Sequence, residues 1–288
     1  MQVPNFVKQD NYLHPYAQIV IDRLLEAEHK EKKSLLGQSV PDFAQGHKWY
    51  GLHKEHGLWV LRDWAPNATA IYLVGEFNSW QEQSEYALSR VESGDWELRL
   101  PFKMMKHGDL FAFSIHWHGG QGKRVPAWIN RVVQDDQTKI FNAQVWVPEK
   151  PYKWKNAKFK RNAEAPLIYE AHIGMAGEDL RVHTYNEFRE NVLPRIKEAG
   201  YNTLQLMAIP EHPYYGSFGY HVSSFFAPSS RFGTPEELKQ LVDEAHGMGI
   251  SVIIDLVHSH AVKNENEGLG RYDGTRWQFF HDGPKGEH

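Results

Sequence analysis

Between Ile209 and Thr234 the chain reads PEHPYYGSFGYHVSSFFAPSSRFG. Tyr214, Tyr215, Phe218, Tyr220 and Phe225 offer flat apolar faces there, and His212 and His221 offer polar edges. A sugar ring asks for that mixture, an aromatic platform under its C–H face and hydrogen-bonding groups around its hydroxyls. Packing of the same aromatics onto a scaffold is the plainer use of them. A second constellation is Asp255-Leu256-Val257-His258-Ser259-His260. His258 and His260 lie two apart and would face the same way on a strand, as a pair of metal ligands does. No Asp or Glu shares that face at ligand spacing. Asp255 and His260 would instead both reach a pocket if the strand ended between them. A structural Asp beside a surface His is the third possibility.

The elements that must position these residues follow an alternating pattern. Leu167–His172 reads as a strand, and Thr184 with Glu187 forms a capping box. Phe188, Val192, Leu193, Ile196 and Ala199 then make a helical stripe that Pro194 should kink or split. Thr203–Ile209 is a second strand, and Thr234-Pro235-Glu236-Glu237 opens a helix that Gly249 stops. Ser251–His258 is a third strand, largely apolar. Such crossovers imply parallel strands covered by helices. The 209–234 connection is long for a strand-to-helix loop, and long loops in compact domains tend to be functional. It leaves the C-terminal end of a parallel strand, where barrels of this type place their sites.

Upstream, the period changes. Nine of the ten tryptophans precede residue 160. Leu58–Trp64, Ala70–Gly75, Trp96–Pro101, Leu110–Trp117 and Ala143–Val147 read as short strands between turn signals, which means a β-sandwich. Residues 11–36 read as a leader helix with Tyr16, Ile19, Val20, Leu24 and Ala27 on a packing face. Residues 148–166, rich in Pro and Lys, read as a solvated linker. The divisions are 1–40 for the leader, 41–150 for the sandwich and 151–288 for the alternating region.

The chain has 288 residues, with 32 Lys and Arg against 36 Asp and Glu, for a formal charge of −4. That slight acidic excess argues against nucleic acid as a partner. The absence of cysteine excludes disulfides, thiolate metal sites and a cysteine nucleophile. Residues 1–10 lack a signal-peptide pattern, and no apolar run has the length of a membrane span. The expectation is a cytoplasmic protein with no membrane partner.

The Asp255–His260 run resembles the first sequence signature of the α-amylase superfamily of glycoside hydrolases and transglycosidases (glycoside hydrolase family 13). The longer run from Leu193 to Asn264 resembles the eukaryotic-type 1,4-alpha-glucan branching enzymes of glycogen and starch synthesis. Trp64-Ala65-Pro66 and Gly75-Glu76-Phe77-Asn78-Ser79-Trp80 resemble the glucan-binding module that precedes the barrel in those enzymes.

The resemblance implies an immunoglobulin-like β-sandwich, a carbohydrate-binding module of the CBM48 type, followed by the first three βα units of a TIM (β/α)8 barrel. It implies that Tyr220 stacks under the sugar at the cleavage subsite, that His260 hydrogen-bonds it, and that Asp255 orders the pocket floor. Tyr215 and His212 join that site. Trp64, Pro66, Trp80, Glu92 and Asp95 are the glucan-contact candidates on the sandwich.

No cofactor is implied. Ser259 stands where calcium-binding amylases commonly place Asn, so no metal is expected. The implied activity cleaves α-1,4-glucan (glycogen, amylose or starch) and transfers the segment to a 6-hydroxyl. The retaining mechanism uses two catalytic carboxylates about 5–5.5 Å apart. Both, the nucleophile and the acid/base, are expected beyond His288, and no catalytic residue is expected within the chain. The incomplete barrel is expected to be inactive alone and to self-associate. A debranching hydrolase of the same superfamily and a non-catalytic α-glucan-binding protein are the alternatives.

Overall fold

The computed structural model describes residues 2–35, 37–91, 94–161, 164–281 and 283. They form two compact units, 1–49 and 50–288.

The first unit is helical: α1 (Asn5–Gln9), α2 (Ala17–Leu35), α3 (Val40–Phe43) and α4 (Gly46–Trp49). α2 is the expected leader helix, entered through a 3₁₀ turn at His14–Tyr16. Its charged run carries i,i+4 pairs, Glu26–Lys30 and Glu28–Lys32. The expected packing face is not the buried one. Tyr16, Ile19 and Leu24 are exposed, while Ile21 and Leu35 are buried. Those two positions share a face because their separation is close to four turns of about 3.6 residues.

The second unit opens with β1 (Gly51–Glu55), β2 (Leu58–Trp64), β3 (Ala68–Gly75), β4 (Ser89–Arg90), β5 (Asp95–Pro101), β6 (Leu110–Trp117), β7 (Gly120–Arg124), β8 (Val132–Gln134) and β9 (Phe141–Gln144). One antiparallel sheet runs β1-β2-β5-β4, and the other β3-β6-β9-β8 with β7 beside β6. The period-two pattern sets their faces. On β5, Trp96, Leu98 and Leu100 point inward and meet β2 in the register Asp63–Trp96, Leu61–Leu98 and Trp59–Leu100. With Ile71, Leu73, Phe111, Phe113 and Ile115 they form the core between the sheets, each large side chain contributing roughly 1.5–3 kcal/mol by burial. The buried indoles keep their N–H groups bonded: Trp59 donates to Phe102 O at 3.2 Å and Trp96 to Ala65 O at 2.9 Å. β9 ends at Gln144, short of the expected Val147. Val145 still bonds to the approach to β6 through Val145 N to Asp109 O at 2.9 Å, and the next residue, Trp146, donates through Nε1 to Glu236.

The alternating region holds β10 (Ile168–Ala171), α5 (Tyr185–Glu187), α6 (Leu193–Glu198), β11 (Thr203–Leu206), β12 (Pro210–Glu211), β13 (Ser224–Pro228), α7 (Pro235–Gly247) and β14 (Ser251–Ile254). β10, β11 and β14 form a parallel sheet, Ile168 beside Thr203 and Leu204 beside Val252. Thr184 caps α5 and Thr234 caps α7, each in a capping box with the Glu three residues on. Pro194 splits its helix as expected. The ring cannot donate to Glu190 O and crowds it, and residues Phe188–Val192 widen into a π-helical turn before α6.

One expectation needs correcting and another needs an addition. The lysines of the 148–161 stretch are exposed, as expected of a solvated segment, but its backbone is also tied to α7. Asp243, 1 % exposed, accepts from Tyr152 Oη at 2.7 Å, Lys155 N at 2.7 Å and Asn156 N at 2.8 Å. Phe159 stacks on His246 at 4.2 Å. The third strand ends at Ile254, not His258. Its partner β11 ends at Leu206, and after Asp255 N reaches Leu206 O at 3.1 Å no ladder remains to extend.

Candidate functional site

At the C-terminal ends of the parallel strands, three side chains from three segments meet. Gln205 Nε2 on β11 donates to Asp255 Oδ1 at 2.9 Å, and Tyr220 Oη donates to Asp255 Oδ2 at 3.0 Å. Burial raises the Tyr220 phenol above its usual range, and the Asp255 carboxylate adds to the effect. Tyr220 owes its place to the residue before it. Gly219 has φ +83°, and a Cβ there would fall 1.7 Å from Ala208 O, so only glycine brings the loop this close to the backbone that follows β11.

Other aromatic and imidazole groups sort by exposure. Tyr215 is half-buried, edge-on to His172 at 5.7 Å. His258 stacks on Phe225 at 5.6 Å. His260 is exposed, its Nδ1 2.7 Å from Ser259 Oγ. His212 is fully buried, with Nδ1 2.9 Å from Pro210 O and Nε2 without a hydrogen-bond partner. Because β14 stops at Ile254, His258 and His260 stand on a loop rather than a strand face. Among the described residues no group of three or more His, Asp or Glu is arranged to hold a metal ion.

The loop's anchor is Glu211, which the sequence reading passed over. It is 0 % exposed and accepts from Ser229 Oγ at 2.9 Å, Ser230 N at 2.7 Å, Ser230 Oγ at 2.9 Å and Arg231 Nη1 at 3.2 Å. Gln205 was missed as well. Its signal was a polar residue inside an apolar parallel strand. Near Glu211, His172 follows β10 with both ring nitrogens unpartnered, ringed by Tyr215, Phe218 and Phe232. Burial lowers its basicity, with a smaller effect from His212.

On the sandwich, the expected contact residues do not share one environment. Trp80 sits at the end of a turn with Ser79 at φ 54° and Trp80 at φ 59°. Such a pair of non-glycine residues is costly. Buried Asn78 pins the turn by accepting from Gly75 N at 2.8 Å and donating to Leu73 O at 2.9 Å. The half-exposed Trp80 ring carries Lys123 Nζ 5.0 Å above it. That is an aromatic face with a cation at its rim.

Trp64 lies elsewhere, edge-on to Phe279 at 6.2 Å, with its carbonyl accepting from Gln278 Nε2 at 2.6 Å. Pro66 lies against Gly94, where an added Cβ would come within 2.7 Å of it. Asp95 Oδ1 accepts from Tyr50 Oη at 2.8 Å. Two positions named in the sequence reading fall outside the described residues. One is Glu92, a glucan-contact candidate. The other is His288, beyond which the nucleophile and the acid/base are expected.

Two families of known proteins match separate stretches of the chain. The family "carbohydrate-binding module 48 (isoamylase N-terminal domain)" matches residues 49–129, and the family "alpha amylase, catalytic domain" matches residues 191–286. The 1,4-alpha-glucan-branching enzyme of Rhizophagus irregularis is 44 % identical over 294 aligned residues, covering 99 % of this chain and 43 % of that protein. The 1,4-alpha-glucan-branching enzyme of Yarrowia lipolytica is 44 % identical, covering 98 % of this chain and 42 % of its own length.

Over nearly its whole length the chain is similar to 1,4-alpha-glucan-branching enzymes. It spans about two fifths of the length of these curated relatives. The fold is shared more widely. A putative alpha amylase from Salmonella typhimurium superposes with a TM-score of 0.63 at 22 % identity, covering 82 % of this chain and 38 % of that one. The chain therefore combines a β-sandwich with the opening strands of an α-amylase-type barrel, as expected.

Proposed function

We propose that this protein acts on α-1,4-glucan as a branching enzyme, cleaving the chain and transferring the segment to a 6-hydroxyl. The relatives' names support the activity, and the Tyr220–Asp255–Gln205 network is the observation that carries the site. It holds an aromatic ring and a hydrogen-bonded carboxylate at the strand ends, where this fold places its chemistry. In this reading Tyr220 is the platform under the reacting sugar, Asp255 fixes that platform, and His260 hydrogen-bonds the same sugar. The reaction also needs a carboxylate nucleophile and a carboxylic acid, and neither role is assigned to a residue of this chain. The Trp80–Lys123 face supplies a second contact with glucan, away from the reacting bond.

The test is an iodine–amylose assay on the intact protein from its source. Branching shortens the helical runs that bind iodine, so the absorbance should fall without release of reducing ends. Release of reducing ends in step with the fall would mark a hydrolase instead. No change at all would leave a binding protein.

A further inference from the structure

The segment after β14, residues 255–280, contains no helix or strand among its described residues, yet it carries His260. Unstructured segments that long do not hold a fixed shape without support. Its near end is tied to the 209–234 loop by Val262 N donating to Val222 O at 2.9 Å. The remainder lies on the sandwich. Val125 N donates to Asn266 O at 2.8 Å. Asn67 donates through N to Asp273 Oδ2 at 3.0 Å and through Nδ2 to Asp273 O at 2.9 Å. Arg124, 2 % exposed, donates to Tyr272 O at 3.2 Å and Arg271 O at 2.9 Å. Gly274 approaches the Trp117 ring so closely that a Cβ would fall 2.3 Å from it.

At the centre of this seam, Tyr272 Oη donates to Asp63 Oδ2 at 2.6 Å, and both residues are 0 % exposed. Asp63 also accepts from Trp64 N at 2.8 Å and Ala127 N at 3.1 Å. We propose that the Asp63–Tyr272 pair is a positioning device for the sugar site, through which the sandwich fixes the segment bearing His260. This rests on the branching-enzyme reading and extends it, because the module becomes part of the reaction geometry as well as a place to hold glucan.

A buried carboxylate is a strong acceptor when ionised and a poor tenant when a donor is lost. Burial pushes the Asp63 carboxyl up to about 6, and the Tyr272 hydroxyl and the two backbone N–H groups oppose that rise. Asp95 on the neighbouring strand β5, itself bonded to Tyr50, raises it further. The Arg124 guanidinium acts on Tyr272 from β7.

Tyr272→Phe in the intact protein keeps the ring and removes only the donor. Amide exchange across residues 262–279 should accelerate at least about tenfold, with β2 and β5 unchanged. The value of kcat/KM on amylose should fall on the order of tenfold, while retention on a glucan-containing native gel stays at the wild-type value. The acid limb of the pH–rate profile should move to higher pH, because the donor that lowers Asp63 is gone. Asp63→Asn, which cannot titrate, should lose the part of that limb near pH 6.

Unchanged exchange in Tyr272→Phe overturns the clamp whatever the protein's activity. Faster exchange with wild-type kcat/KM and an unmoved acid limb overturns the positioning role. A wild type without action on glucan sinks the branching-enzyme reading, and the positioning role with it.

Discussion

Tyr220 and Asp255 are 35 residues apart in the chain and 3.0 Å apart in the structure, phenol to carboxylate. The contact ties the long loop after β11 to the end of β14, so the loop's aromatic ring and the strand's carboxylate move as one unit. Asp255→Ala leaves the Gln205 amide and the Tyr220 hydroxyl without their acceptor. It should cost about 1–3 kcal/mol in urea denaturation. Tyr220→Phe, which removes a single donor, should cost less, about 0.5–1.5 kcal/mol. Equal losses in the two variants would mean that Asp255 does not organise the network.

The two module tryptophans should separate cleanly. Trp80→Ala removes a half-exposed ring at the sandwich rim, so retention on a glucan-containing native gel should drop about tenfold or more, with little change in melting temperature. Trp64→Ala opens the contact with Phe279 and should lower stability by about 1–3 kcal/mol with less effect on retention. Reversed phenotypes would move the glucan face to the seam.

Glu211 should be the costliest single polar position in the loop. Its carboxylate has no exposure and pairs with Arg231 at 3.2 Å. Removing one member of such a buried pair typically costs about 3–5 kcal/mol. Glu211→Ala should approach that range in chemical denaturation, and a loss under about 1 kcal/mol would show that Arg231 is solvated without it.

These cases show what was legible in the sequence and what was not. Short β-branched and aromatic runs bounded by turn signals, such as β2 and β6, were readable to the residue. The capping boxes at Thr184 and Thr234 were readable because their chemistry is local. β7 (Gly120–Arg124) was not, since its sequence has no apolar period and its pairing comes from the hairpin partner β6. The burial of His212 and the hub at Glu211 depend on Ser229, Ser230 and Arg231, which fold back from 18 to 20 residues away. The Asp63–Tyr272 contact spans 209 residues. Local pattern carries no trace of such a pairing. The tie of Tyr152, Lys155 N and Asn156 to Asp243 is non-local in the same way, while the lysines around it stay in solvent as their pattern suggests.

β10 and β14 are the outer strands of the parallel sheet, and Ile168, Tyr169, Ile253 and Ile254 are exposed on them. Apolar strands with unpaired edges invite pairing with another chain. The 288-residue chain in isolation should therefore self-associate, with sedimentation coefficients that rise with concentration. A single monomeric boundary across a hundredfold concentration range would rule this out.

Acid should weaken the barrel region through His172. Burial holds its imidazole below the ordinary 6.5, chiefly by desolvation and secondarily by His212. The folded state therefore resists a proton that the unfolded chain accepts near 6.5. The contribution to stability is complete above that pH and is lost as pH falls through it toward the lower folded value. His212, also depressed by burial, acts with the same sign. Asp63 acts with the opposite sign. Its folded carboxyl is raised from 3.8 to about 6, so its burial penalty eases as pH falls through 6. His172→Phe keeps an aromatic ring among Tyr215, Phe218 and Phe232 and removes the proton. The Asp63 contribution is common to both proteins and cancels in the comparison. Urea unfolding at pH 7.5 and 5.5 should show a smaller drop in stability for His172→Phe than for the wild type. An identical drop would mean that His172 is hydrated in the folded state and that its burial does not govern the acid response.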